Sequence, residues 1–92
     1  MASGQAIVKP EDLRKFAAQL KTFSGQLDSS CKQLNAQFKV LGSTWRDQEH
    51  RRFAQQFEQT MKVLKRFNEI SEKHIPFLIK KAVKAEEYLK QR

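Results

Sequence analysis

Two prolines and three glycines in 92 residues leave few points at which a regular chain would break. One cysteine, Cys31, excludes an intrachain disulfide, so no framework of cross-links substitutes for a core. No apolar run approaches the roughly 20 residues that a membrane-spanning helix needs, so no span is expected. Met1–Lys9 lacks the apolar core of a cleavable signal peptide. The expectation is a cytoplasmic chain, with export open only by a route without a cleaved signal. Two histidines and one cysteine are too few to suggest a structural metal cluster.

What remains is rich in Gln, Lys, Leu, Phe, Ala and Glu, most of which lose little rotamer freedom in a helix. Hydrophobic residues make up 39% and charged residues 30%. That supplies one apolar stripe per helix and is thin for a domain closed on itself. The net charge of +8 divides into +3 over residues 1–41 and +5 over 42–92, so neither half is a dedicated basic arm.

The pattern predicts one domain over 1–92: a lead-in at 1–9, helix one at about 10–41, a turn at 42–45 and helix two at 46–90. Pro10 suits a first helical position, and Glu11 and Asp12 oppose the helix dipole. Leu13, Phe16, Leu20, Phe23, Leu27, Cys31, Leu34, Phe38 and Leu41 then recur at three- and four-residue steps. Gly42 is expected to end the helix in a left-handed C-cap, with Ser43 and Thr44 as N-cap candidates and Thr44-x-x-Asp47 as a capping box. The second stripe runs Phe53, Phe57, Met61, Leu64, Phe67, Ile70, His74, Phe77 or Leu78, Ala82, Ala85 and Leu89. Pro76 should kink or briefly break it.

Six acids precede a base by four residues: Glu11–Lys15, Asp28–Lys32, Asp47–Arg51, Glu58–Lys62, Glu69–Lys73 and Glu86–Lys90. This is the orientation that favours helix-surface pairing. The fold class is therefore all-α, an antiparallel two-helix hairpin. Two such helices cannot cover Phe- and Leu-rich stripes along their whole length. The economical solution is a four-helix bundle dimer of two hairpins. Its dimer or core seam would be Leu13, Phe16, Leu20, Phe23, Leu27, Leu34 and Phe38 against Phe53, Phe57, Leu64, Phe67 and Ile70.

At Trp45-Arg46-Asp47 the chain resembles the WXG-motif proteins, the ESAT-like substrates of type VII secretion. The likeness covers nearly the whole length: the Pro10-Glu11-x-Leu13 opening, Gly42 before the turn, Trp45, and Phe53 eight residues after it. It implies a hairpin that dimerises head to tail, as a homodimer or heterodimer, with the Trp turn beside a neighbouring helix end. It also implies a secretion machine as a partner. Two positions depart from the family pattern. Asp47 stands where the family has Gly. The family's export signal pairs a Tyr with an acid four residues later, whereas Tyr88 is followed by Arg92, so that signal is expected to be absent.

The turn motif is thus Gly42, Trp45 and Asp47, with Trp45 either a recognition element or a plug for the bundle end. Asp47, Glu49 and His50 do not form HExxH, and Arg51 and Arg52 repel a cation, so a solvated charged face is expected there. His74 reads as a hydrogen-bonded seam residue and Cys31 as a buried filler. No nucleophile–base pair occurs, so neither an enzyme nor a cofactor is implied. The seven Phe residues have core spacing rather than that of a base-stacking platform. Arg46, Arg51 and Arg52, and Lys80, Lys81, Lys84, Lys90 and Arg92, read as solubilising charge. A small basic nucleic-acid-binding protein is the alternative.

Overall fold

The computed structural model describes residues 8–90. Most of the expected lead-in and Arg92 lie outside them. Two helices account for nearly all the rest: α1 over Pro10–Leu41 and α2 over Gln48–Lys90, joined by residues 42–47.

Pro10 occupies the first position of α1, and the Lys9 carbonyl accepts from the Asp12 and Leu13 N–H groups at 3.0 and 3.2 Å. The other end of α1 differs from expectation. Gly42 is right-handed, with φ −65° and ψ −14°, and no described residue has positive φ. The chain instead tightens into successive turns, with the Ser43 and Thr44 N–H groups donating to the carbonyls of Val40 and Leu41. The Ser43 hydroxyl donates to the Val40 carbonyl at 2.6 Å and the Thr44 hydroxyl to the Leu41 carbonyl at 3.4 Å. Both hydroxyls therefore close the end of α1 rather than open α2. Trp45 and Arg46 separate them from the next helix, which starts at Gln48 and not at 46.

Asp47 is the N-cap of α2. Its carboxylate accepts from the His50 N–H at 3.0 Å, the third N–H of the new helix. It is thus the capping residue itself rather than the reciprocal partner of Thr44. Helical structure continues through Pro76, with no break. The carbonyl freed by the missing N–H belongs to Glu72, an exposed residue, where water can satisfy it.

The helices pack antiparallel. Buried and half-buried positions recur as 10, 13, 17, 20, 24, 27 and 31 on α1, and as 54, 57, 61, 64, 68, 71, 75, 78, 82 and 85 on α2. Alternating steps of three and four are the signature of a coiled-coil seam. The most deeply buried seam positions are small residues: Ala17, Ala82, Ser24 and Ser71. No large side chain among the described residues is fully buried. A bidentate ion pair fastens the open end, with Arg14 Nε and Nη2 each donating to a Glu86 carboxylate oxygen at 2.8 Å.

The result is a plank of 68 × 25 × 15 Å with a radius of gyration of 20.4 Å. A compact domain of this length would have a radius of about 12 Å. The described residues form one helix layer, with no second layer among them to bury against.

Candidate interaction surface

Of the residues expected in the dimer or core seam, Leu13, Leu20, Leu27, Phe38, Phe57 and Leu64 are half-buried between α1 and α2. Leu34 continues the line of Leu13, Leu20 and Leu27 but is half exposed, whereas Phe16, Phe23, Phe53, Phe67 and Ile70 lie on the adjoining flank and remain 41–58% exposed. Phe77 joins them at 62%, so Leu78 rather than Phe77 takes the seam position. Phe23 and Phe67 meet edge to face at 6.0 Å across the two helices, which places both flanks on the same side of the plank. One broad side therefore carries exposed apolar side chains from both helices. The other is a groove of mixed charge lined by Asp28, Lys32, Glu58, Lys62, Lys65 and Glu69 among others.

The turn end of the plank carries an aromatic cluster. Trp45 is half-buried, folded back with its ring 5.0 Å from His50 and 6.0 Å from Phe53. Phe38 stacks on His50 at 5.3 Å and packs against Phe57 at 4.7 Å and Phe53 at 5.7 Å. His50 is thus an inward residue rather than part of a solvated face. Its Nε2 is buried without a hydrogen-bond partner. A signal for this existed: the steps 50, 54, 57, 61 extend the α2 seam one turn upstream. The charge in Asp47-Gln48-Glu49-His50-Arg51-Arg52 concealed it.

His74, expected in the seam, is exposed, and Ile75 fills that place. Cys31 is half-buried rather than fully enclosed. Of the six expected helix-surface pairs, Asp28–Lys32 closes at 3.1 Å, while Asp47 serves as a cap and Glu86 is held across the hairpin by Arg14. The bond from Arg14 holds the Glu86 carboxyl below the usual carboxylate range, and the same bond raises Arg14. No group of three or more His, Cys, Asp or Glu side chains is placed to hold a metal ion among the described residues, and no described helix is long and apolar enough to cross a membrane. Arg46, Arg51 and Arg52 sit at the turn end and Lys80 to Lys90 at the other. About 30 residues of helical rise, roughly 45 Å, separate them.

The described residues form an extended helical hairpin with a thin internal seam, an aromatic turn and exposed apolar side chains along one flank. The family of proteins of 100 residues with WXG, WXG100, matches over residues 5–86, and the chain belongs to it. This is the ESAT-like family of type VII secretion substrates. No curated protein and no solved structure matches. The Asp47 variant of the motif now has a physical account. Backbone φ at this position is not positive, so glycine is not required, and Asp supplies a stronger N-cap than Gly does.

Proposed function

We propose that the chain is a non-catalytic hairpin whose apolar face is covered by a second, related hairpin in a four-helix bundle dimer. It acts as a substrate or secretion-associated partner of a type VII system. The observation that carries this reading is the apolar face itself. Phe16, Phe23, Phe53, Phe67, Ile70 and Phe77 are each 41–62% exposed along one side of a single-layer plank. Isolated soluble chains rarely present such a surface. In this reading the half-buried leucines hold each hairpin together, and the exposed phenylalanines pack on the partner. Gly42, Trp45 and Asp47 form the turn, with Trp45 closing the end of the bundle. Membership of a family of secretion substrates supports the transport role.

Sedimentation equilibrium in about 1 M salt, where surface charge is screened, should find a dimer or larger assembly. A helical, cooperatively melting monomer under those conditions would overturn the pairing. For transport, a tagged chain should reach the medium from cells with an intact type VII ATPase and not from cells lacking it. Equal export from both would remove the secretion role.

A further inference from the structure

We propose that the apolar face takes a helical hairpin whose own flanking rows are acidic, in preference to a second copy of this chain. The inference rests on the pairing reading above and specifies the partner's charge.

Seven-residue steps keep side chains near one line along a helix. Bordering the open apolar face, one such line of α2 runs Arg52, Gln59, Arg66, Lys73 and Lys80, all exposed. Lys81 and Lys84 continue the lines of Phe67 and Phe77, so the apolar strip itself ends in positive charge. Acids appear on this side of α2 only in its first and last turns, at Glu49 and Glu87. The other acids of α2 are on the opposite side. There Glu58, Glu69 and Glu72 share a groove with Lys32, Lys62 and Lys65, and Glu86 is taken by Arg14. The polar side is therefore balanced, while between the first and last turns of α2 the apolar side is bordered by bases alone. The corresponding outer line of α1, Asp12, Gln19, Gln26 and Gln33, holds a single acid.

When two copies bring their apolar faces together, each basic line meets either the other copy's basic line or the nearly neutral line of α1. Neither supplies a partner for the arginines and lysines, and the dimer doubles a net charge of +8. Charged rows flanking an apolar seam choose partners in helical assemblies, by repelling the wrong one as much as by attracting the right one. A nucleic acid would match the charge but leave Phe67, Ile70 and Phe77 in water.

The test uses two variants of this chain as acidic probes. One carries Arg52→Glu, Arg66→Glu, Lys73→Glu and Lys80→Glu; the other carries Gln19→Glu, Gln26→Glu and Gln33→Glu. All seven positions are exposed and helical, so circular dichroism should find both probes folded. In about 0.05 M salt, native mass spectrometry should show wild type pairing with at least one probe about tenfold or more tightly than with itself. Wild-type self-association should strengthen as salt approaches about 1 M, closing the gap. Self-pairing at low salt as tight as pairing with either probe would overturn the charge inference and leave hairpin pairing standing. Failure of any pair to form even at high salt would overturn both. Retention of wild type on duplex DNA at about 0.15 M salt, with no preference for either probe, would overturn the hairpin partner and mark the row as a phosphate contact.

Discussion

Asp47 carries the turn through one hydrogen bond, from the His50 N–H to its carboxylate at 3.0 Å. Replacing it with Ala should cost about 1 kcal/mol, and replacing it with Gly only a few tenths, because Gly is itself a passable N-cap. Urea unfolding at fixed protein concentration measures both, and an Asp47→Ala variant as stable as wild type would mean that the cap contributes nothing. Gly42 makes the opposite case. Its backbone is right-handed, and an added Cβ would lie 3.5 Å from the Lys39 carbonyl and 3.6 Å from His50 Nε2, both ordinary contacts. Gly42→Ala should therefore raise stability by about 0.4–1 kcal/mol through the unfolded chain's lost freedom. A clear drop in the same unfolding assay would show that the glycine is needed after all.

Glu86 belongs at this scale too. Its folded-state pKa is held below the unfolded value by the bond from Arg14. The contribution is therefore complete above the unfolded value, near pH 4.3, and is lost as pH falls through the folded one. Wild type should melt above Glu86→Gln at neutral pH, and the difference should shrink steadily below about pH 4. A constant difference from pH 3 to 7 would mean that the pair is idle. Because both side chains are about two-fifths exposed, salt should narrow the gap as well.

At the scale of the elements, each helix carries two adjacent apolar rows with different jobs. The inner row is half-buried against the other helix of the same chain; the outer row, Phe16 and Phe23 on α1 and Phe53 and Phe67 on α2, touches across the hairpin only at ring edges such as Phe23–Phe67 and stays 43–58% exposed. Leu20→Asp or Leu64→Asp places a carboxylate in the half-buried inner row and should cost several kcal/mol, with helicity lost by circular dichroism. Phe16→Asp or Phe67→Asp leaves the inner row untouched. These variants should stay largely helical in about 1 M salt yet fail to dimerise by sedimentation. Loss of helicity in both sets alike would merge the two rows into one function. Pro76 shows how an element tolerates a local breach: the unpaired carbonyl falls on the exposed Glu72, and the packing of Ile75, Leu78 and Ala82 continues on either side.

The whole molecule is a rod folded once. Spin labels at the exposed sites Lys21 and Lys65, diluted with unlabelled protein, should report a distance near one interhelix spacing of about 8–10 Å plus the label arms. A single continuous helix would put the same pair about 66 Å apart. That long value would remove the turn, and the Trp45 cluster with it.

Helical content, the two stripes, the place of the turn and the family resemblance were legible from spacing and composition. Helix periodicity is a local property, and Pro10, Gly42 and Trp45 punctuate it locally. What the stripe could not divulge was its division into an inner and an outer row. Leu13 and Phe16 are equally apolar, and only the azimuth at which α2 lies against α1 decides which of them is covered. His50 was hidden for the same reason, since charged neighbours mark a surface until Phe38 and Trp45 close around its ring. Ser43, Thr44 and Asp47 were recognisable as capping residues, but which helix end each serves depends on where the chain reverses. Sequence alone determined that two amphipathic helices would form and that one hairpin would leave apolar surface over. Tertiary structure decided which side that surface is on. Burial is a property of neighbours, and the neighbours are set only when the hairpin closes.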